Sequence, residues 1–285
     1  MSGPPPAGLA AMQTHALDVP GARLYYDQRG TGPLLVMIGS PMDSTGFAGL
    51  ADAMADRYTV VTYDPRGIGS STREDTSHEV TPGQQAEDVR RILAGLGGGP
   101  VLVFGSSGGA VVGLELVRAH PGQVVTLVAH EPPVIDLLPD RDQVQADIQD
   151  IYNTYRAQGP EKAMAKFMAH AGLARGAGPA EGARSWKPDR ERIARTRATT
   201  DVFLSSLIRA TTRYQPDIEA LRSAPARIVV GVGAASAGQL AHRSALALAD
   251  KLGTPAVEFP GDHGGFVGAP GPFSQVLNQV LTQPA

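Results

Sequence analysis

One stretch, Val101-Leu102-Val103-Phe104-Gly105-Ser106-Ser107-Gly108-Gly109-Ala110, limits what this chain can fold into. Its first half is apolar, β-branched and aromatic without polar interruption, the pattern of a strand buried on both faces. Its continuation, Val111-Val112-Gly113-Leu114-Glu115-Leu116-Val117, has small residues at helical spacing. Strand and helix meet at Ser107, so the backbone must change habit within about one residue. Gly105 and Gly109 flank that point and leave room for two backbones to approach closely. A serine on such a turn presents its hydroxyl at the helix N-terminus, where N–H groups lack helical partners and the dipole is positive. Five letters of the form Gly-x-Ser-x-Gly recur by chance. The strand before them and the helix after them give the pattern weight, and an idle serine on a tight turn is the plain alternative.

A chain of 285 residues can bury a full α/β core with an insertion. The net charge of −3 offers no basic face for nucleic acid. The absence of cysteine excludes a disulfide framework, a thiolate metal site and a cysteine nucleophile. No apolar run approaches the length of a membrane span. Residues 1–14 open Met1-Ser2-Gly3-Pro4-Pro5-Pro6, with neither a basic region nor an apolar core. They read as a disordered leader and not a secretion signal, which makes the cytoplasm the expected location.

Elements follow in a regular rhythm. Residues 15–28 alternate around Pro20-Gly21 and read as an edge hairpin. Leu34–Ile38 and Tyr58–Tyr63 are apolar strands, each closing in a loop, with a helix through Phe47, Leu50, Ala51 and Met54 between them. A helix over 84–96 precedes the stretch at 101, and Val124–Ala129 is the next buried strand. Strands alternating with helices imply a parallel sheet covered on both faces. Residues 134–220 break the rhythm. Val144, Ile148, Ile151 and Tyr155 share one helix face, Met164, Phe167 and Met168 mark a second helix, and 172–189 is loop-like around Trp186. The rhythm resumes with a strand near 226–232, a helix from Leu240 to Leu252, a strand at 256–259 and a closing helix through Phe273 and Leu281.

The turn at Ser107 resembles the nucleophile elbow of the α/β-hydrolase superfamily. Three further segments are similar to that family: Gly39-Ser40-Pro41, where its members carry an oxyanion loop; Asp64-Pro65-Arg66-Gly67-Ile68-Gly69-Ser70-Ser71; and Gly261-Asp262-His263-Gly264. Ile38 stands where the family usually has a histidine before Gly39. The resemblance implies an α/β-hydrolase fold: a mostly parallel eight-stranded sheet with helices on both faces. The core domain would be 15–133 and 221–285, with 134–220 as a helical cap.

The same resemblance implies a serine hydrolase. A neutral hydroxyl needs a base within hydrogen-bond reach, and the chain order of this fold puts that base after the last strand, at His263. The acid usually follows the strand 226–232, yet Gly233-Ala234-Ala235-Ser236-Ala237-Gly238-Gln239 contains none. Three explanations stay open. Glu131, at the end of the preceding strand, takes the role, as in certain haloalkane dehalogenases, which look similar here. Or Glu131 is structural and the site is a Ser–His dyad. Or the acid is missing and the chain is a weak enzyme or a ligand-binding protein. The oxyanion donors would be the backbone N–H of Gly108 and that of Ser40, with Met42 as the alternative because Pro41 has none. Asp64 and Arg66 read as a charged pair bracing the loop. Metal-ligand spacing is absent, and no cofactor is expected. An alkyl-enzyme ester would need an aspartate where Ser107 stands. The expected substrate is a small to medium hydrophobic carboxylic ester, thioester or lactone. A C–C hydrolase or perhydrolase would use much the same residues. No nucleic-acid or membrane partner is expected, and a homodimer stays open beside a monomer.

Overall fold

The computed structural model describes residues 12–173 and 190–283. Most of the leader and most of the loop around Trp186 lie outside the described residues. Eight strands form one sheet in the order β1-β2-β4-β3-β5-β6-β7-β8. They are β1 (Gln13–Val19), β2 (Ala22–Arg29), β3 (Leu34–Ser40), β4 (Thr59–Asp64), β5 (Val101–Ser107), β6 (Val124–His130), β7 (Arg227–Gly233) and β8 (Val257–Phe259). β1 and β2 are antiparallel to their neighbours, and from β4 to β8 every pairing is parallel. The hairpin starts inside the expected leader: Gln13 and Thr14 pair with Gln28 and Asp27, and Thr14 Oγ1 donates to Asp27 at 2.6 Å. That cross-strand bond recruits two polar residues that carry no hydrophobic signal.

The helices are α1 (Ala48–Met54), α2 (Pro82–Gly95), α3 (Gly108–Ala119), α4 (Arg141–Gln158), α5 (Pro160–Ala171), α6 (Arg190–Val202), α7 (Ile208–Thr212), α8 (Ile218–Ser223), α9 (Leu240–Leu252), α10 (Gly265–Gly268) and α11 (Pro270–Thr282). Val89, Ile92, Val111, Leu114 and Leu248 pack α2, α3 and α9 on one face of the sheet. Leu50, Met54, Phe273 and Leu277 pack α1 and α11 on the other. Such two-sided cover is what the uninterrupted apolar strands require. Between β6 and β7 the described chain is helical. A wide π turn at Phe203–Leu207 runs into α7. Ile148, Ile151, Phe203 and Leu207 form a separate apolar cluster, into which the core contributes Ile68 and Val80. The Val80 N–H donates to the Ser206 carbonyl at 2.9 Å, tying the loop after β4 to the π turn.

The Asp64–Arg66 pair is not formed. Arg66 makes a bidentate bond to Asp88 of α2, with Nε–Oδ2 2.7 Å and both side chains buried. Asp64 instead accepts the N–H groups of Ser44 and Ser70 at 2.8 and 2.7 Å. A planar guanidinium meets a carboxylate presented by a facing helix in bidentate geometry better than one two residues back along a strand-ending turn.

The elbow is built by absence of side chains. A Cβ on Gly109 would lie 1.9 Å from the Ile38 carbonyl oxygen, and one on Gly105 would lie 2.6 Å from the Gly109 carbonyl. Both neighbours are backbone, so nothing yields cheaply. Gly109→Ala is therefore expected to lower unfolding stability by about 1–3 kcal/mol or more, read from urea denaturation, because α3 must withdraw from β3. A wild-type midpoint for this variant would contradict the close packing.

Candidate active site

The parallel strands end side by side, and their registers assemble the residues chosen from sequence. Ser40 stands opposite Ser107 across β3 and β5, Ser106 opposite His130 across β5 and β6, and His130 opposite Gly231 across β6 and β7. Ligands collect at such carboxyl ends. Ser107 has φ 54° and ψ −125°, a conformation costly for a residue with a side chain. It holds the hydroxyl at the rim, and Gly108 follows as the first residue of α3.

Glu131 makes a second strained turn, with φ 47°, one residue past the end of β6. Its N–H donates to the Gly231 carbonyl at 2.9 Å, and Pro132 and Pro133 carry the chain away. Its carboxyl has no exposure to water. Three donors meet it there. His263 Nδ1 lies 2.6 Å from Oε2, the Gly233 N–H donates to Oε1 at 2.9 Å, and the Ser236 hydroxyl donates to Oε1. Burial pushes this carboxyl up, but the hydrogen bond and charge of His263, then Ser236 and Gly233, outweigh burial and hold it at about 2. His263 itself lies in the loop between β8 and α10 and keeps some exposure.

Behind these groups sits His130, fully buried. Its Nδ1 lies 3.2 Å from Ser106 Oγ, and its ring stacks on that of His263 with centroids 6.3 Å apart. Phe104, Phe259, Phe266 and Phe273 enclose it. Burial pushes His130 down to about 4; the Glu131 charge opposes this and the His263 charge adds to it. It is therefore a neutral ring at ordinary pH. The remaining histidines lie elsewhere, His78 with Asp75, His120 with Glu87, His170 with Asp147, His15 against Tyr26 and His242 in α9.

Ser107, His263, Gly108, Ser40 and Met42 all line one cavity of about 360 Å³. Ser107 and His263 share it with no hydrogen bond between them. Ser40 and Gly108 back on one another, since a Cβ on Gly108 would lie 2.6 Å from the Ser40 carbonyl oxygen. The Ser40 hydroxyl donates to Gln85 Oε1 at 3.0 Å, and both are buried. Apolar side chains of the insertion close the other side, Ile148, Met164, Phe167 and Phe203 among them. Met168 is not among the lining residues.

Three residues of the site escape sequence reasoning. Ser236 lies in the very loop that lacks an acid. His130 is hidden by its neighbour Glu131. Gln85 had a signal, a polar residue on the apolar stripe of α2 beside Val89 and Ile92. Among the described residues, no three His, Asp or Glu side chains are grouped to hold a metal. No helix among them is long and apolar enough to cross a membrane.

A family model described as the alpha/beta hydrolase fold matches residues 32–171. The uncharacterized hydrolase YraK of Bacillus subtilis (strain 168) is 32% identical over 275 residues, covering 93% of this chain and 94% of that protein. Among solved structures, a thermophilic esterase from Thermogutta terrifontis aligns with a TM-score of 0.72 at 17% identity, over 94% of this chain and 98% of the other. Est816, described as an N-acyl homoserine lactone degrading enzyme, aligns with a TM-score of 0.67 at 17% identity, over 93% and 99%.

The Glu131 contacts carry a pH signature. A carboxyl held low in the folded state stabilises the fold above the ordinary carboxylate range, and that contribution drains as pH falls toward about 2. Ser236→Ala should cost about 1.5–3 kcal/mol at neutral pH, the range for a bond to a charged group. The gap to wild type should close as pH approaches the folded-state pKa, measured by urea denaturation across the acid range. The Ser236 hydroxyl also lies 2.8 Å from the Gly233 carbonyl. A gap independent of pH would mean that its single proton goes there instead.

Proposed function

The chain belongs to the α/β-hydrolase fold family and is a hydrolase, and from that premise we propose that it cleaves an acyl bond through a covalent intermediate on Ser107. The observation that carries this reading is the 2.6 Å contact between Glu131 and His263 Nδ1, with the carboxylate sealed from water. A carboxylate on Nδ1 fixes the proton there, so Nε2 is the free base that faces the cavity. His263 takes the Ser107 proton as the hydroxyl attacks the substrate carbonyl. The charge left on the carbonyl oxygen lies at the start of α3, where the backbone N–H groups of Gly108 and Ser40 receive it, with Met42 the alternative to Ser40. His263 then protonates the leaving group. A water molecule, deprotonated by the same ring, releases the acyl group and restores Ser107.

Glu131 holds the imidazolium that forms in each half-reaction, and its low pKa keeps it charged while it does so. The substrate class is a neutral carboxylic ester, thioester or lactone of small to medium size. Among the described residues lining the cavity none is Asp, Glu, Lys or Arg, and apolar side chains dominate. A charged substrate group would lose its hydration without a partner there. The esterase and the lactone-degrading enzyme among the structural neighbours fit this class. A ligand-binding role had its motive in an absent acid, and Glu131 beside His263 takes that motive away.

Hydrolysis of p-nitrophenyl esters of short and medium acids tests the reading. Ser107→Ala should abolish turnover and labelling by a fluorophosphonate probe. Glu131→Gln should lower kcat by about 10⁴-fold, the cost of losing the orienting acid. Ala235→Asp should bring no gain, because the place beside His263 is taken. A silent Glu131→Gln together with a gain in Ala235→Asp would return the acid to the loop after β7. An inert, unlabelled wild type would leave a binding protein.

A further inference from the structure

Hydroxyl groups in the cavity wall are few, and nearly all are committed. The Ser40 hydroxyl donates to Gln85, Ser106 is bonded to His130, and Ser107 is the nucleophile of the proposed reaction. On the side of the insertion, among the described residues, only Thr211 and Thr212 of α7 bring hydroxyl-bearing side chains to an otherwise apolar lining. Thr212 turns its hydroxyl back on its own helix, donating to the Ile208 carbonyl at 2.7 Å. It therefore offers the cavity nothing polar.

Thr211 differs. It is 7% exposed. Its hydroxyl has no hydrogen-bond partner among the described residues, although a helical threonine normally bonds the carbonyl four residues back. Nor is its oxygen sealed by protein, as Tyr63 Oη and Gln85 Nε2 are, so it stays accessible at the cavity wall. A nearly buried hydroxyl proton with no acceptor is costly, and a ligand that supplies the acceptor removes that cost. Phe203, Leu207 and Ile208 line the same wall as Thr211, at the spacing of one helix face.

Resting on the acyl-hydrolase reading, we infer that Thr211 is a specificity-determining residue whose hydroxyl donates to a carbonyl oxygen carried on the apolar part of the substrate. The reacting carbonyl sits at the floor between Ser107 and the start of α3. The chain runs along the apolar wall. A second, neutral carbonyl, a ketone or an amide, reaches the roof at Thr211. The favoured substrates are oxo- or amide-bearing acyl esters, thioesters or lactones, and not plain fatty esters.

The test compares p-nitrophenyl octanoate with its 5-oxo, 6-oxo and 7-oxo counterparts. The quantity read is kcat/KM for each oxo ester divided by that for octanoate, so changes in the amount of folded enzyme cancel. In wild type at least one oxo ester should be preferred. Thr211→Val, which keeps the shape and removes the hydroxyl, should lower that ratio about 10-fold. Thr211→Ser, which keeps the hydroxyl, should retain it. The inference is overturned if no oxo ester is preferred, or if the valine variant leaves every ratio as in wild type. It is also overturned if serine and valine lower the ratio alike, which would mark a packing role. Wild-type turnover of plain octanoate with flat ratios rejects Thr211 alone. No turnover of any ester and no labelling of Ser107 rejects the acyl-hydrolase reading beneath it.

Discussion

A carboxylate cut off from water dictates much of what surrounds it. Glu131 cannot be charged in a dry interior unless several donors converge on it. Those donors come from three places in the chain: the end of β7, the loop after it, and the loop after β8. The segments holding Gly233, Ser236 and His263 must therefore meet at the tip of β6. This meeting sets the length of the β7 loop, the position of β8 and the strained backbone at Glu131. Strain of this kind persists only where neighbours over-determine it. Here the N–H bond to Gly231 on one side and two prolines on the other do so.

The fold was legible because its evidence is local. Apolar strands, amphipathic helices and the glycines about Ser107 each announce themselves within a dozen residues, and crossover rules then leave one arrangement. The antiparallel start at Gln13 was not legible, because two polar residues join an edge by cross-strand bonds alone. Ser107 and His263 could be placed since each follows a strand of recognisable pattern. Glu131 could be preferred as the acid but not separated from a structural role, since the sequence cannot show which side chains a strand tip faces. The partner of Arg66 was misjudged for the same reason. Asp64 is near in sequence, while Asp88 is near in space only after α2 docks. Ser236, His130 and Gln85 are ordinary polar residues whose meaning appears only when their partners arrive.

Polarity in the cavity is sorted by layer. The floor belongs to the sheet and holds hydroxyls, imidazole and helix-start N–H groups. Among the described residues, the walls and roof come from the helices between β6 and β7 together with Leu240, Ala241, Phe266 and Val267, and are nearly all hydrocarbon. On the proposed mechanism, bond breaking and substrate fit thus reside in different stretches of chain. The two parts are stitched together at Val80, through the Ser206 carbonyl, by the ion pairs of Glu79 with Arg209 and of Asp140 with Arg243, by the Tyr214 hydroxyl on Glu115, and at the shared cluster of Ile68 with Ile148.

If the proposed mechanism holds, chain order gives its three residues a timetable. Ser107 ends β5 and Glu131 follows β6, both made early, before the helices that roof the cavity. His263 arrives with β8, a three-residue strand that pairs only with β7 at the sheet margin. On the proposed mechanism, a growing polypeptide holds the nucleophile, the acid and the greater part of a pocket while His263 is still unmade. Its serine would then stay an ordinary alcohol until the final segment arrives, and a chain interrupted before β8 would lack the base that activates it.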